Sequence, residues 1–210
     1  MIRLYIETNF LVGFAINREA GLHELMKIAK ESSLLEVFIP SICCMESLSV
    51  LAEERKRRNR FSNQLEKEIA QLRRSVDATT ALSDPSEMRQ SLQNALLLNS
   101  RLVNDLDNRL FEALEWVSNS VNLVELEPSV LQNSLQEQLI DDPTDNLILH
   151  CILEDTRQDF AQTNVFLSAN ARDFGSEEIR NLLTQAGISK YFTKAESFLG
   201  WFKSQPPTQK

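Results

Sequence analysis

The chain opens on Ile2-Arg3-Leu4-Tyr5-Ile6-Glu7, a short β-branched and aromatic run closed by an acid, which predicts a first buried strand. Thr8 is placed to cap the helix that follows. From Asn9 to about Ser32 the pattern turns helical, with a break near Asn17 and with Leu22, Leu25, Met26, Ile28 and Ala29 on one face. Val37-Phe38-Ile39 predicts a second strand, ended by Pro40. Ser41 is a candidate N-cap for a long helix to about Val76, whose later part carries Leu65, Ile69, Leu72 and Val76 as one stripe. Beyond the turn-prone Ser83-Asp84-Pro85, a second long helix shows Leu102, Leu106, Leu110 and Leu114, with Phe111 and Val117 widening the face. Two facing stripes predict an antiparallel helical hairpin, and the plain reading of these leucines is packing.

Val121 to Leu126 resumes the strand pattern, Pro128 starts a short helix, and Asp142-Pro143-Thr144-Asp145 opens another through Leu153 with Pro143 at its first position. Asn164 to Ser168 predicts a further strand, Ser176 caps a helix to about Gln185, and Tyr191-Phe192 suits a last short strand before a C-terminal helix. The tail Pro206 to Lys210 is expected to fray. Strands alternating with helices predict an α/β fold, a central, mainly parallel sheet covered on both faces. Residues 1–210 are read as a single domain into which the hairpin, about 47–119, is inserted. In such sheets ligands bind beyond the carboxyl ends of the strands, where the topology switches direction. Glu7 stands at one such end and the segment Ser168 to Phe174 leaves another.

Composition narrows the picture. With 210 residues, 42% apolar and 25% charged, there is enough chain for one sizeable core. A net charge of −8 excludes a surface coated in basic residues and leaves room only for a local basic patch. Cys43, Cys44 and Cys151 lie in apolar runs without Cys-x-x-Cys spacing, which argues against a disulfide framework or a zinc site. The charged residues close behind Met1 leave no room for a signal peptide, and no apolar stretch reaches the roughly 20 residues of a membrane span. A cytoplasmic protein with no membrane partner is expected. Few glycines and no Gly-rich loop speak against nucleotide-driven enzymes, and His23 and His150, each in an apolar helical setting, read as structural.

Four pieces then fall in a familiar order: Ile6-Glu7-Thr8-Asn9-Phe10-Leu11, Ile39-Pro40-Ser41 leading to Glu46, Asp145-Asn146-Leu147-Ile148-Leu149, and Phe166 through Phe174 with Asn170 and Asp173. In this the sequence resembles the PIN domain family of metal-dependent nucleases, over nearly the whole chain outside the hairpin. The resemblance implies a three-layer fold with a parallel sheet between helices, and acids that converge on Mg²⁺ or Mn²⁺ to hydrolyse phosphodiesters, chiefly in RNA. Carried over by position, Glu7, Glu46 and Asp145 are the principal ligands, with Asn170 or Asp173 completing the site and Thr8 or Asn9 orienting the first carboxylate. Two departures stand out. Glu7, whose carboxylate reaches one bond farther, occupies a place where the family usually has Asp, and Asn170 stands where many members have an acid.

The chemistry explains the residue types. Mg²⁺ is a hard cation that takes oxygen ligands and keeps several waters, so a few carboxylates suffice to hold it beside a phosphate. Each acid also has an ordinary reading: Asp145 as a helix N-terminal acid, Glu46 as an exposed rung, Asp173 as a loop cap. Glu7 is harder to explain away, because an acid closing a buried strand needs a partner.

Glu53-Glu54-Arg55-Lys56-Arg57-Arg58-Asn59-Arg60 supplies the basic patch. Glu53 with Arg57 and Glu54 with Arg58 form i,i+4 pairs worth about 0.3 kcal/mol each, a solvated helix face. That leaves Arg55, Lys56 and Arg60 without local partners as the candidates for an RNA backbone. The family's small members include toxins held by antitoxins, so an antitoxin, another protein or a second copy in a homodimer joins RNA among the implied partners. A catalytically weakened module that binds RNA or protein is the alternative to an endoribonuclease.

Overall fold

The apolar run Ile2–Ile6 forms β1, and its last three residues, Leu4, Tyr5 and Ile6, are wholly buried. A strand buried on both faces belongs at the centre of a parallel sheet, and the computed structural model, which describes residues 1–75, 85–157 and 163–205, has it there. The other strands are β2 Leu35–Pro40, β3 Asn122–Val124, β4 Thr163–Leu167 and β5 Ile188–Phe192. The five-stranded sheet runs β3-β2-β1-β4-β5, every pair parallel. From β1 the chain builds outward to β2 and β3 on one side, then returns to lay β4 and β5 on the other. The switch point is therefore between β1 and β4, whose registers align Ile6 with Leu167 and leave Glu7 and Ser168 side by side beyond the strand ends.

Helices α1 (Thr8–Ala15) and α2 (Gly21–Glu31) connect β1 to β2; α5 (Pro128–Gln136) and α6 (Pro143–Arg157) follow β3; α7 (Glu177–Gln185) and α8 (Ala195–Ser204) flank β5. Helix α1 ends as the break near Asn17 predicts. Asn17 takes φ 54°, its N–H donates to the Phe14 carbonyl at 3.0 Å, and the Arg18 N–H reaches back to Gly13 O at 2.8 Å, which together make a Schellman motif.

Between β2 and β3 stand α3 (Ile42–Ser75) and α4 (Pro85–Ser120). They run antiparallel, since Arg55 pairs with Asp107 while Arg58 and Ser62 meet Asn99. The buried Asn99 locks them, its amide donating to Arg58 O and Ser62 Oγ at 2.9 Å each. Leu65, Ile69 and Leu106 are buried as the stripes predict, but Leu102 is 48% exposed and Phe111 is 72% exposed. The face turned inward instead runs through Leu106, Ala113, Trp116 and Val117, because α4 must pack on α1 as well as on α3. Trp116 stacks on Phe10 of α1, with ring centroids 5.5 Å apart.

The expected end of the first stripe at Val76, the turn at Ser83-Asp84 and the fraying of 206–210 lie outside the described residues. No helix among those described is long and apolar enough to cross a membrane.

Candidate active site

Glu7 closes β1 and is the N-cap of α1, its backbone extended and its Oε2 accepting the Asn9 N–H at 2.6 Å. This corrects the expectation that Thr8 caps the helix. Thr8 is its first residue, and the Thr8 hydroxyl donates a hydrogen bond to Oε2 of Glu46 on α3. So Asn9, through its backbone, orients the first carboxylate, and Thr8 orients the second. The other Glu7 oxygen, Oε1, is buried with no hydrogen-bond partner among the described residues. Burial pushes Glu7 up to about 7; the Asn9 N–H and the Ser168 hydroxyl oppose the rise, while the charges of Asp145 and Glu46 add to it.

Asp145 enters from the first turn of α6, where Pro143 supplies the fixed φ and Asp142 the cap. Asp142 Oδ1 accepts the N–H groups of Thr144 at 2.8 Å and Asp145 at 3.1 Å. Half-buried, Asp145 is raised to about 6 by desolvation first and then by the charges of Glu46, Asp142 and Asp173, with the Asn170 amide opposing. Glu46 is raised as well, by burial and by Asp142, against the Thr8 hydrogen bond. The mutual repulsion ties Glu7, Glu46, Asp145 and Asp173 into one neighbourhood.

The loop leaving β4 supplies the rest. Asn170 Nδ2 donates one hydrogen to Asp145 Oδ2 at 2.9 Å and the other to Asp173 Oδ2 at 2.7 Å. Ionised carboxylates accept only, so the amide nitrogen must face them. The amide oxygen lies on the Asp173 N–H at 3.4 Å. Asn170, expected to complete the site, serves in this arrangement as a brace between two acids. Its own N–H is held by Ser168 Oγ at 3.0 Å, and the loop closes so tightly that a Cβ on Gly175 would sit 2.3 Å from Ala171 O.

Asn146 stands directly behind Asp145 and is buried. Its Oδ1 accepts from Leu139 N at 2.8 Å and Ile140 N at 3.2 Å, and its Nδ2 donates to Ser134 O and Glu137 O. It pins the segment between α5 and α6 that leads to Asp142. Sequence reasoning took Asn146 only as part of a motif; the signal was a polar side chain opening the apolar run Leu147 to Cys151. Ser168 and Asp142 were likewise read only as a strand end and a helix start. His150 is structural as expected, its Nε2 3.0 Å from Glu137 O.

Would these residues suit a divalent ion? Among the described residues no group of three or more His, Cys, Asp or Glu side chains is drawn together closely enough to hold one. The donors are nevertheless all oxygen, the choice of a hard cation, and the orphaned Glu7 Oε1 is a buried acceptor in a neighbourhood whose acids have no ion pair among the described residues. The donor chemistry fits Mg²⁺ or Mn²⁺, with oxygens now engaged by Thr8 and Asn170 free to exchange partners.

The basic run is placed differently from the expectation. Arg55 pairs with Asp107 of α4, and Lys56 Nζ pairs with Glu53 at 2.6 Å, so neither lacks a partner. Arg57 turns to Glu54 at 2.7 Å rather than to Glu53, and only the Glu54–Arg58 pair, at 3.0 Å, forms as anticipated. Spacings of three and four share a face, so a helix offers both choices, and the antiparallel neighbour supplies Asp107. Arg60 alone of the three candidates has no ion pair among the described residues.

A family model described as PIN domain matches residues 4–174. No curated protein and no solved structure matches the chain.

Proposed function

Because the chain belongs to the PIN domain family, whose members are generally nucleases, we propose that it is a Mg²⁺- or Mn²⁺-dependent endoribonuclease, one domain with the α3–α4 hairpin as its insertion. The observation that carries this reading is the buried Glu7 Oε1 at the switch point of the sheet, which has no hydrogen-bond partner among the described residues and is near acids that have no ion pair among them.

Glu7, Glu46 and Asp145 would hold the ion, with Asp173 beside them. When bound, the ion supplies Lewis acidity, lowering the pKa of water next to the phosphate and offsetting charge on the phosphate oxygens. The chain's own groups do the rest. Asn9 N–H and Thr8 Oγ1 fix the two glutamates, and Asn170 keeps Asp145 and Asp173 from separating. With Glu7 at about 7 and Asp145 at about 6, both carboxylates give up protons near neutral pH on taking a cation.

Purified protein should cut single-stranded RNA with Mn²⁺ or Mg²⁺ and stop on chelation. Glu7→Gln should lower cutting by about 100-fold or more without any loss of melting temperature. Equal cutting by the Gln variant would sink the proposal.

A second reading is a module that binds RNA or protein without cutting. It is favoured by Asn170, whose amide occupies Asp145 Oδ2 and Asp173 Oδ2. RNA retained intact under every metal tested would select it. A toxin role is the narrower form of the first reading: induction would arrest growth, and a neighbouring gene would relieve the arrest.

A further inference from the structure

Arg18 follows the Schellman turn at the end of α1, at the position where that motif usually carries an apolar residue packed back on the helix. Here the residue is charged and exposed, and the partner position beneath it, Gly13, has no side chain to pack on. Arg18 makes no ion pair among the described residues. Its neighbour Glu19 is turned elsewhere, toward the backbone N–H of Glu196 at 3.5 Å.

Two hollows meet at this side chain. One is a recess of about 30 Å³ that Arg18 shares with Glu7, Asn9, Ala169 and Glu19, and it reaches the acidic site at Glu7 alone. The other is an open groove of about 710 Å³ between α1 and α3, which Arg18 lines together with Val12, Leu51, Arg57, Arg58 and Arg60. Glu53 and Glu54 also line the groove, and Glu54 is taken up by Arg57 and Arg58, as Glu53 is by Lys56. The groove's cations without an ion pair among the described residues are Arg18, at the end that reaches Glu7, and Arg60 farther along, whose charge also acts on the exposed Glu53. On a protein of net charge −8, that is a local positive track leading to an uncompensated negative centre.

We propose that Arg18 is a positioning residue that grips a backbone phosphate next to the scissile one, and that the RNA strand continues from it along the α1–α3 groove toward Arg60. The inference rests on the nuclease reading of the acidic site. A strand bound only at the acids would be repelled by them until cations arrive; a guanidinium between crevice and groove offsets that repulsion for one phosphate and sets the direction of the strand. The placement also explains why Arg55 and Lys56, bound to acids of their own, are not needed for it.

The test uses the full chain carrying Glu7→Gln, so that RNA stays intact, and a fluorescein-labelled oligouridine followed by anisotropy across a salt series. Adding Arg18→Ala should weaken binding about tenfold and lower the slope of log affinity against log salt by roughly 0.7, the contribution of one phosphate contact on a single strand. Arg18→Lys should restore most of both, Arg60→Ala should lose less, and Arg55→Ala should behave as the parent. In the cutting-competent chain, Arg18→Ala should raise KM more than it lowers kcat. Unchanged affinity and slope in Arg18→Ala, in a chain that still cuts RNA, overturns this proposal and leaves the nuclease reading standing. A slope that falls with Arg18 in a chain that never cuts supports the track and sinks the nuclease reading. Failure of the parent to bind RNA at all overturns the track as well.

Discussion

The crevice beyond β1 and β4 and the outer face of α3 are both densely charged, and they are built on opposite plans. On α3, Glu53, Glu54 and Asp107 are matched with Lys56, Arg57, Arg58 and Arg55, within a turn or across to the adjacent helix. In the crevice, Glu7, Glu46, Asp145 and Asp173 come from separate segments and raise one another's proton affinity together with Asp142, and the groups that hold them are neutral donors, Thr8, Asn9, Ser168 and Asn170; no ion pair to these four acids forms among the described residues. Exposed pairs of the first kind contribute little to stability and ask nothing of a ligand. A cluster of the second kind is costly until protons or a cation arrive. Where charge is compensated, the sequence spends it on solvation; where it is not, the fold holds it in place at the expense of stability.

The largest effect that separates the two plans is the pH dependence of stability without metal. Glu7 binds its proton more tightly folded than unfolded, so the stability this lends is complete below about pH 4.5 and disappears as the pH rises through about 7. At about 1.4 kcal/mol per unit, Glu7 alone amounts to roughly 3 kcal/mol. Asp145 acts in the same sense up to about pH 6, to a lesser degree because it is half-exposed. Glu53 and Glu54, held low by hydrogen bonds to Lys56 and Arg57, act in the opposite sense but at the surface. Chelator-treated protein should therefore melt at lower temperature at pH 8 than at pH 5. Glu7→Gln should flatten that dependence, and Mg²⁺ or Mn²⁺ should raise the melting temperature at pH 8 in the parent more than in the variant. A flat profile in the parent would mean that the crevice carries no such penalty.

Next in size is Asn146→Ala. It would leave the buried N–H groups of Leu139 and Ile140 without acceptors, for a loss of roughly 2–4 kcal/mol in denaturant unfolding. Because the segment it pins leads to Asp142 and Asp145, cutting should fall in parallel even at temperatures where the variant stays folded. A stable variant with full activity would show that the crevice does not depend on this support.

Smallest should be the double change of Arg55 and Lys56 to Ala. Both have partners at the surface, so a melting temperature within about 3 °C of the parent and unaltered RNA affinity are expected. A large loss of either would erase the distinction drawn between the two regions.

How much of this was legible beforehand follows from the range of each interaction. The first four strands show as apolar runs, β5 shows only at its end, Tyr191-Phe192, because Ser189 and Lys190 interrupt it, and Glu7 draws attention because an acid closing a buried strand needs a partner. Which of Glu7 and Thr8 caps α1 was not legible, since both offer an oxygen and the choice turns on Thr8 being engaged by Glu46, far along the chain. The same limit explains Arg55, whose partner Asp107 lies on the other arm of the hairpin. For Leu102 and Phe111, periodicity reveals that a helix has an apolar face but not which neighbours will cover it; α1 takes up the sector with Trp116, and those two stay outside. Asn170 read as a lost acid. In three dimensions its two amide hydrogens keep Asp145 and Asp173 together, a role that depends on geometry the sequence does not carry.

The hydrogen bond between Thr8 and Glu46 joins more than two side chains. Helix α3 is unbroken from Ile42 to Ser75, a rod of roughly 50 Å at 1.5 Å per residue. Its inner turns, with Cys43, Ser47 and Leu51 buried, are seated in the body of the protein, while its outer turns project from it. The carboxylate of Glu46 at the seated end and the residues of the outer arm thus stand on one continuous helix.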